Sequence, residues 1–240
     1  MPALKAYAAD LPYSFAAGVY PSLTLMEKAP ERALRLLLSE KAAGEGVDKL
    51  RGLCAAHGVR EEIAPKALSR ILGKENVYVA VVFQKQTAPL NPARSHIVLH
   101  HPMDDGNLGA IQRSMLGLGL TDLAVIRPAA DPFDPKTVRA AMGALFSLNI
   151  GQYDDFADYR AQFPAHTLYP FMLDGAMDLE QAAREKKTPY ALIFGNEGAG
   201  LPPEFQAYGQ AVKIRQSDAI DSFNLAVSAA IAAYTFTREG

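Results

Sequence analysis

The 240-residue chain has a single cysteine, Cys54, so no internal disulfide can form and a reducing cytoplasm is the expected compartment. It has no apolar run long enough to cross a bilayer. Its opening, MPALKAYAADLPYSFAAG, lacks a continuous apolar stretch, so no secretory signal is expected. It has no short-period repeat and no low-complexity tract. Net charge is only −2, which excludes a general polyanion binder and leaves room for a local basic face. What is present is a globular composition, 49% hydrophobic and 21% charged. The length suits one large domain or two small ones, with a core that needs no staples.

Proline gathers in TAPLNPARS (87–95), directly after the strand-like VYVAVVFQK (77–85). Proline lacks the donor that a strand ladder needs, so a domain boundary is placed near 86–95. The division is 1–88, a small α/β domain, and 95–240, a larger one. In the first, ALRLLLSE (33–40) fits either strand or helix. GVDKLRGLCAAHG (46–58) reads as a helix with Leu50, Leu53 and Cys54 on one face and Gly58 as its stop, which makes Cys54 a core residue. VREEIA (59–64) reads as a strand and PKALSRIL (65–72) as a proline-led helix. Lys66, Arg70 and Lys74 recur every four residues, with Arg32, Arg35 and Lys41 nearby in sequence. Such a stripe could hold phosphates, and it could equally be an ordinary solvated face.

Beyond residue 95, strand-like and helix-like stretches alternate about six times, which predicts a mostly parallel sheet covered on both faces. The strand candidates are HIVLHH, DLAVIRP, SLNIGQY, TLYPFML, YALIFG and VKIRQ. The helix candidates are NLGAIQRSMLGLG capped by Asn107, a stretch from 134 to 145, DLEQAAREKK, and SFNLAVSAAIAAYTF capped by Asp221 or Ser222.

Three of these stretches could carry chemistry. On 107–119, Leu108, Ile111, Met115 and Leu118 form the apolar stripe, and Arg113 projects from roughly the opposite side. Arg113 follows the first strand of its sheet, at the edge where ligands sit in open α/β folds; a lone arginine there is also an ordinary surface residue. GNEGAG (195–200) places three glycines after a buried strand. It has neither the Gly-Lys-Ser/Thr of a P-loop nor the spacing of a dinucleotide fingerprint, and a Gly-rich loop after a strand is, taken alone, more often a tight turn than a site. The helix at 222–234 is rich in alanine and serine, which permits close packing against a helix or another subunit. His100 and His101 end the first strand; an imidazole could act as a base there, but such a pair is more often structural or RNA-facing. Asp104 and Asp105, adjacent in a turn, make a poor metal cage.

NLGAIQRSMLGLG, LIFGNEGAGL and IRQSDAIDSFNLAVSAA, in that order, resemble the three motifs of the SpoU/TrmH family of RNA ribose 2′-O-methyltransferases, in the SPOUT superfamily. The resemblance covers essentially all of 95–240, with VRAAMGALFSLNI and MLDGAMDL agreeing between the motifs. The first domain resembles, in size and in its closing ILGKENVYVAVVFQK, a small ribosomal-protein-like RNA-binding module found ahead of many such enzymes. Its opening, PYSFAAGVYPSLTLMEKAP, departs from that module. The resemblance implies an α/β protein whose C-terminal trefoil-knotted, parallel-sheet methyltransferase domain follows a small α/β RNA-binding domain. It implies S-adenosylmethionine as cofactor, held largely through backbone groups by Gly195, Ile214 and Phe223, the last standing where the family usually has leucine. It implies a catalytic and substrate-holding set of Asn107, Arg113, Glu197, Ser222 and Asn224, with no metal. The partners implied are structured RNA, of the 23S ribosomal type ahead of transfer RNA, and a second copy of the chain in a homodimer. Arginine is too weak an acid to serve as a base, so Arg113 is assigned to gripping phosphate and stabilising a developing alkoxide. Glu197 is expected to align either Arg113 or the 195–201 loop. The competing readings are a transfer RNA 2′-O-methyltransferase, a non-catalytic RNA- or cofactor-binding relative, and an unrelated α/β enzyme using GNEGAG for a nucleotide.

Overall fold

The computed structural model describes residues 4–72 and 77–238, without the side chains of 70–72. Its elements in chain order begin with β1 (Tyr13–Ala17), α1 (Val19–Lys28), β2 (Ala33–Leu38), α2 (Glu45–Ala56), β3 (Arg60–Ile63), α3 (Pro65–Leu72) and β4 (Val79–Gln84). They continue with β5 (His96–His100), α4 (Asp105–Gly117), β6 (Asp122–Ile126), α5 (Pro135–Ala140), β7 (Asn149–Tyr153), α6 (Phe156–Gln162) and β8 (Thr167–Pro170). The last are β9 (Met177–Asp178), α7 (Leu179–Arg184), β10 (Tyr190–Phe194), β11 (Val212–Lys213) and α8 (Leu225–Arg238). Among the described residues no helix is long and apolar enough to cross a membrane.

Packing groups the chain into two compact units, residues 1–86 with 131–147, and residues 87–130 with 148–240. The first unit is built on a mixed sheet of order β1-β4-β2-β3, in which only β2 and β3 run parallel. The ambiguous run at 33–40 is therefore a strand, paired on both sides. β4 lies between two neighbours and buries every side chain from Val79 to Phe83, as its β-branched run requires. Phe15, Leu37, Leu68, Ala80 and Val82 form one core cluster, with Leu4 and Tyr7 packed over it. Cys54 is buried on α2 beside Val47 and Leu50, and burial pushes its thiol pKa up to about 11.

Residues 131–147 complete this unit. Ser14 donates to the Phe133 carbonyl, and Phe83 and Phe146 meet edge to face at 5.0 Å. Arg32 lies buried over both of those rings, at 5.4 and 5.5 Å, with its Nε donating to the Gln84 carbonyl. Arg35 is ion-paired with Glu62 at 3.0 Å. Neither arginine offers a phosphate-binding face, contrary to the possibility raised above: one packs inward on aromatic rings and the other faces a carboxylate. Lys41 and Lys66 are exposed, while the Arg70 side chain and Lys74 lie outside the described residues. Phe146→Ala removes a ring that supports both Phe83 and the buried guanidinium. We expect it to destabilise this unit by about 3 kcal/mol, read as a lowered urea midpoint at unchanged m-value. A loss below about 1 kcal/mol would contradict the packing role.

The second unit carries a five-stranded, fully parallel sheet of order β7-β6-β5-β10-β8. β6 and β10 are buried at every position and β5 at four of its five, the signature of strands covered on both faces. β5 opens the sheet at its centre, β6 and β7 extend one side, and β8 and β10 occupy the other. The switch in direction falls between β5 and β10, which is where open α/β sheets place ligands. The helix expected across 134–145 is shorter, ending at Ala140 before a 3₁₀ turn at Ala144–Ser147. Helices α1 and α6 had no counterpart in the sequence reading.

At the amino end of β5, His96 is fully buried between the Tyr159 hydroxyl at 3.0 Å and the Asn91 carbonyl at 2.9 Å. Burial lowers its pKa to about 4, opposed by the Asn91 bond and reinforced by neighbouring His166. An unfolded chain binds a proton at this group below about pH 6.5, and the folded chain does so only below about pH 4. Stability therefore falls as pH drops through that window, by about 3 kcal/mol for this residue alone. Urea titrations from pH 7 to pH 4 are expected to show the decline, and His96→Gln is expected to make it shallower. Equal slopes for the two proteins would contradict the assignment.

Candidate functional site

β5, β10 and β8 end side by side at His100, Phe194 and Pro170. The loop after β10 is GNEGAG, and its glycines do different jobs. A Cβ on Gly195 would sit 2.1 Å from the Gly200 carbonyl carbon and 2.3 Å from the Leu201 nitrogen, so the chain crosses itself there. Gly200 takes a left-handed φ of +69°, which glycine adopts without strain. A Cβ on Gly198 would meet only Asn196 Oδ1, at 3.5 Å. Asn196 and Gly200 exchange backbone hydrogen bonds of 3.2 and 2.9 Å that close the loop.

Glu197 points from this loop to the turn between β5 and α4. It accepts from Met103 N–H at 3.1 Å, Asp104 N–H at 3.2 Å and Asn107 Nδ2 at 3.1 Å. Partial burial pushes its pKa up, but these hydrogen bonds, with its own backbone N–H, outweigh burial and hold the carboxyl below its usual range. It is therefore an ionised acceptor at neutral pH. Asn107 Oδ1 in turn accepts from Asn224 Nδ2 at 2.9 Å. Asn224 Oδ1 accepts from Ala226 N–H at 2.9 Å and caps α8. Residues 107, 197 and 224 are thus joined in one hydrogen-bonded line.

Around this line lies a cavity of about 550 Å³. The GNEGAG loop forms one wall, and residues 171–174 after β8 form another. Ile214, Gln216 and residues 222–225 close the third, after β11 has paired parallel with β9. Phe171, Phe194, Val212 and Ile214 make part of the lining apolar, and Asp174, Glu197, Ser222 and Asn224 make part of it polar. Of the residues singled out by sequence, Asn107, Gly195, Glu197, Ile214, Ser222, Phe223 and Asn224 all line it.

A profile of the SpoU rRNA methylase family matches residues 94–234, the span that supplies every wall of this cavity. The chain belongs to that family. The SpoU match spans more than half of the protein. A 23S rRNA (uridine(2479)-2′-O)-methyltransferase of Streptomyces viridochromogenes is 32% identical over 153 residues, 60% of this chain and 52% of its own length. The tRNA (cytidine/uridine-2′-O-)-methyltransferase TrmJ of Salmonella typhimurium is 30% identical over 149 residues, 58% of this chain and 61% of its own. The chain thus spans about half to three fifths of the length of these curated relatives. The crystal structure of an AdoMet-bound rRNA methyltransferase from Sinorhizobium meliloti superposes with a TM-score of 0.80 at 26% identity, covering 95% of this chain and 87% of the other.

Arg113 stands apart from the SpoU cavity. Asn107 and Arg113 are six residues apart on α4, which turns them about 120° from each other. Arg113 is exposed and has no hydrogen bond or ion pair among the described residues. Glu197 does not align it, because the carboxylate is taken up by Asn107 and the 103–104 turn. Both expected helix caps shift by a few residues. Asp104, not Asn107, caps α4, its side chain accepting the Asn107 N–H at 2.7 Å. Asn224, not Asp221 or Ser222, caps α8. Asp104 is thereby engaged in capping, and among the described residues no cluster of three or more His, Cys, Asp or Glu could hold a metal.

His100 and His101 stack on each other at 3.8 Å, and neither lines the cavity. Burial, followed by the charge of His101, lowers the His100 pKa to about 4. Two groups went unnoticed in the sequence. Asn196 binds the His101 carbonyl at 2.9 Å, across 95 residues. Arg215, next to Ile214 in the chain, holds Asp178 through two guanidinium bonds. Neither pairing has a local sequence signal, because the partners are far apart along the chain.

Proposed function

We propose that the chain is an S-adenosylmethionine-dependent methyltransferase acting on a ribose 2′-hydroxyl of structured RNA. The observation that carries this is the 550 Å³ cavity whose walls come from all three motif segments, joined through Glu197, Asn107 and Asn224. Its size suits a ligand of that class, and its mixed lining suits a molecule with an apolar base and a polar tail. Gly195, Ile214 and Phe223 would hold the cofactor, beside the ionised Glu197. Bound there, S-adenosylmethionine supplies an electrophilic methyl group on a sulfonium. Asn107, Ser222 and Asn224 orient the ribose by hydrogen bonds, and the clamped geometry of their helix ends provides positioning, a contribution of about 7 kcal/mol in favourable cases. Glu197 anchors this set, since a carboxylate saturated with donors is a poor proton acceptor. Arg113 grips the neighbouring phosphate and stabilises charge developing on the 2′-oxygen, and a phosphate oxygen or water takes the proton.

Arg113 lies off the cavity of its own chain, so we assign it to the cavity of a second copy in a homodimer. The exposed Val227 and Tyr234, seven residues apart on α8, give that helix an apolar face compatible with such packing. We also read the C-terminal passage as the trefoil knot of the family. Gln210 N–H and Met172 N–H bond to the Leu168 and Val212 carbonyls, and a Cβ on Gly209 or Gly175 would meet backbone at 2.2 or 2.5 Å, as tightly threaded chain requires.

Ribosomal RNA of the 23S type is placed ahead of transfer RNA. The supporting observation is that structural likeness to the S. meliloti rRNA enzyme extends over 95% of the chain, including the first unit, which we assign to RNA binding, while structural likeness to an enzyme of 2-OH methylation of C/U34 on tRNA extends over 62%. The reaction would take place in the cytoplasm. Labelled S-adenosylmethionine supplied with 23S, 16S and transfer RNA separately tests the preference. Label is expected on 23S RNA, and label confined to transfer RNA would reassign the substrate.

A further inference from the structure

We infer that Asn196 is a positioning residue: through the His101 carbonyl it clamps the turn between β5 and α4 that presents Glu197 and Asn107 to the acceptor. The kinetic side of this inference rests on the methyl-transfer reading above; the clamp itself rests on hydrogen-bond geometry. The two ends of the Asn196 amide serve different partners. Its Oδ1 accepts from Gly198 N–H at 2.9 Å and Ala199 N–H at 3.1 Å, which shapes the loop along the cavity. Its Nδ2 donates to the His101 carbonyl at 2.9 Å.

His101 is a non-glycine residue in the left-handed region, with φ 56°. Such a conformation persists only where the surroundings hold it. Here the His101 N–H is tied to the Ile126 carbonyl at 3.1 Å and its own carbonyl to Asn196. Two and three residues on, Met103 and Asp104 turn their N–H groups to Glu197, and Asp104 Oδ1 receives the Asn107 N–H. The path of the turn fixed at His101 therefore sets where the two backbone donors to Glu197 lie and where α4 begins. Neighbouring residues of one loop, Asn196 and Glu197, grip the turn at its two ends.

Asn196→Asp separates the two roles. Its carboxylate still accepts from residues 198 and 199, but it puts an oxygen against the His101 carbonyl in place of a donor. Calorimetry with S-adenosylmethionine is expected to give an affinity within about threefold of the parent, while kcat on RNA falls about tenfold or more. Asn196→Ala is expected to weaken both. Amide exchange at Met103 and Asp104 is expected to accelerate in Asn196→Asp, with Gly198 and Ala199 unchanged. In a Glu197→Gln background, adding Asn196→Asp is expected to cost no further kcat, because both act through the same turn. Unchanged protection at 103 and 104, or parental kcat in Asn196→Asp, would overturn the inference. So would a loss of cofactor affinity as large as that of Asn196→Ala. If the parent protein methylated no RNA at all, the functional reading would fall, and exchange at 103 and 104 would still decide the clamp.

Discussion

Gly195→Ala is expected to abolish measurable binding of S-adenosylmethionine and, with it, methyl transfer. The added Cβ would lie 2.1 Å from the Gly200 carbonyl carbon and 2.3 Å from its oxygen. Both are backbone atoms, so no side-chain rotation relieves the overlap. The 195–201 segment has to move by about an ångström, and displacements of that size in a positioned site cost about 100-fold or more. The same movement breaks the paired backbone bonds between Asn196 and Gly200 and pulls Glu197 from the 103–104 turn. Two neighbours calibrate the result. Gly198→Ala meets only a side-chain oxygen at 3.5 Å and is expected to bind normally. Gly200→Ala must accept φ +69° and is expected to lose about 1 kcal/mol, an intermediate effect. Calorimetric titration of the three proteins is the check. Near-parental affinity in Gly195→Ala would mean that the loop does not shape the cofactor site.

Arg113→Ala is expected to lower kcat by roughly 100- to 1,000-fold, the range for removing one group that stabilises developing charge. Its affinity for S-adenosylmethionine is expected to stay within a few-fold of the parent, because the side chain is assigned to the RNA phosphate and the 2′-oxygen and not to the cofactor. Mixing distinguishes action in the chain's own site from action in a partner's. Arg113→Ala and Asn224→Ala, each nearly inactive alone, are co-refolded in equal amounts. If Arg113 serves the partner's cavity, half the dimers are mixed and each has one intact site, restoring about a quarter of parental activity. If Arg113 serves its own cavity, every site keeps one defect and no activity returns.

Much of this site could be read from local signals. The apolar runs at 96–100, 122–126 and 190–194 are the central strands, because only a two-sided core accommodates them. The motif residues Asn107, Glu197 and Asn224 were each visible, and the structure adds that Asn107 hydrogen-bonds to both of the others. What stayed hidden is non-local. The partner of Asn196 is 95 positions away, and residues 131–147 pack with a unit whose other residues end at 86. The misplaced caps have a simpler cause. Asp104 and Asn107, or Asp221, Ser222 and Asn224, are all competent caps, and only the path of the preceding chain selects among them. The missed helices have weak patterns: α1 has Pro21 in its first turn, and α6 is only 7 residues long.

The central claim is that this cavity delivers a methyl group to a ribose 2′-oxygen with help from Arg113. Mass spectrometry of nucleosides from RNA treated with the protein and labelled S-adenosylmethionine tests it most directly. The account predicts a labelled 2′-O-methyl nucleoside with the parent protein and almost none with Arg113→Ala. A label on a base, or equal 2′-O-methyl signal from both proteins, would contradict it.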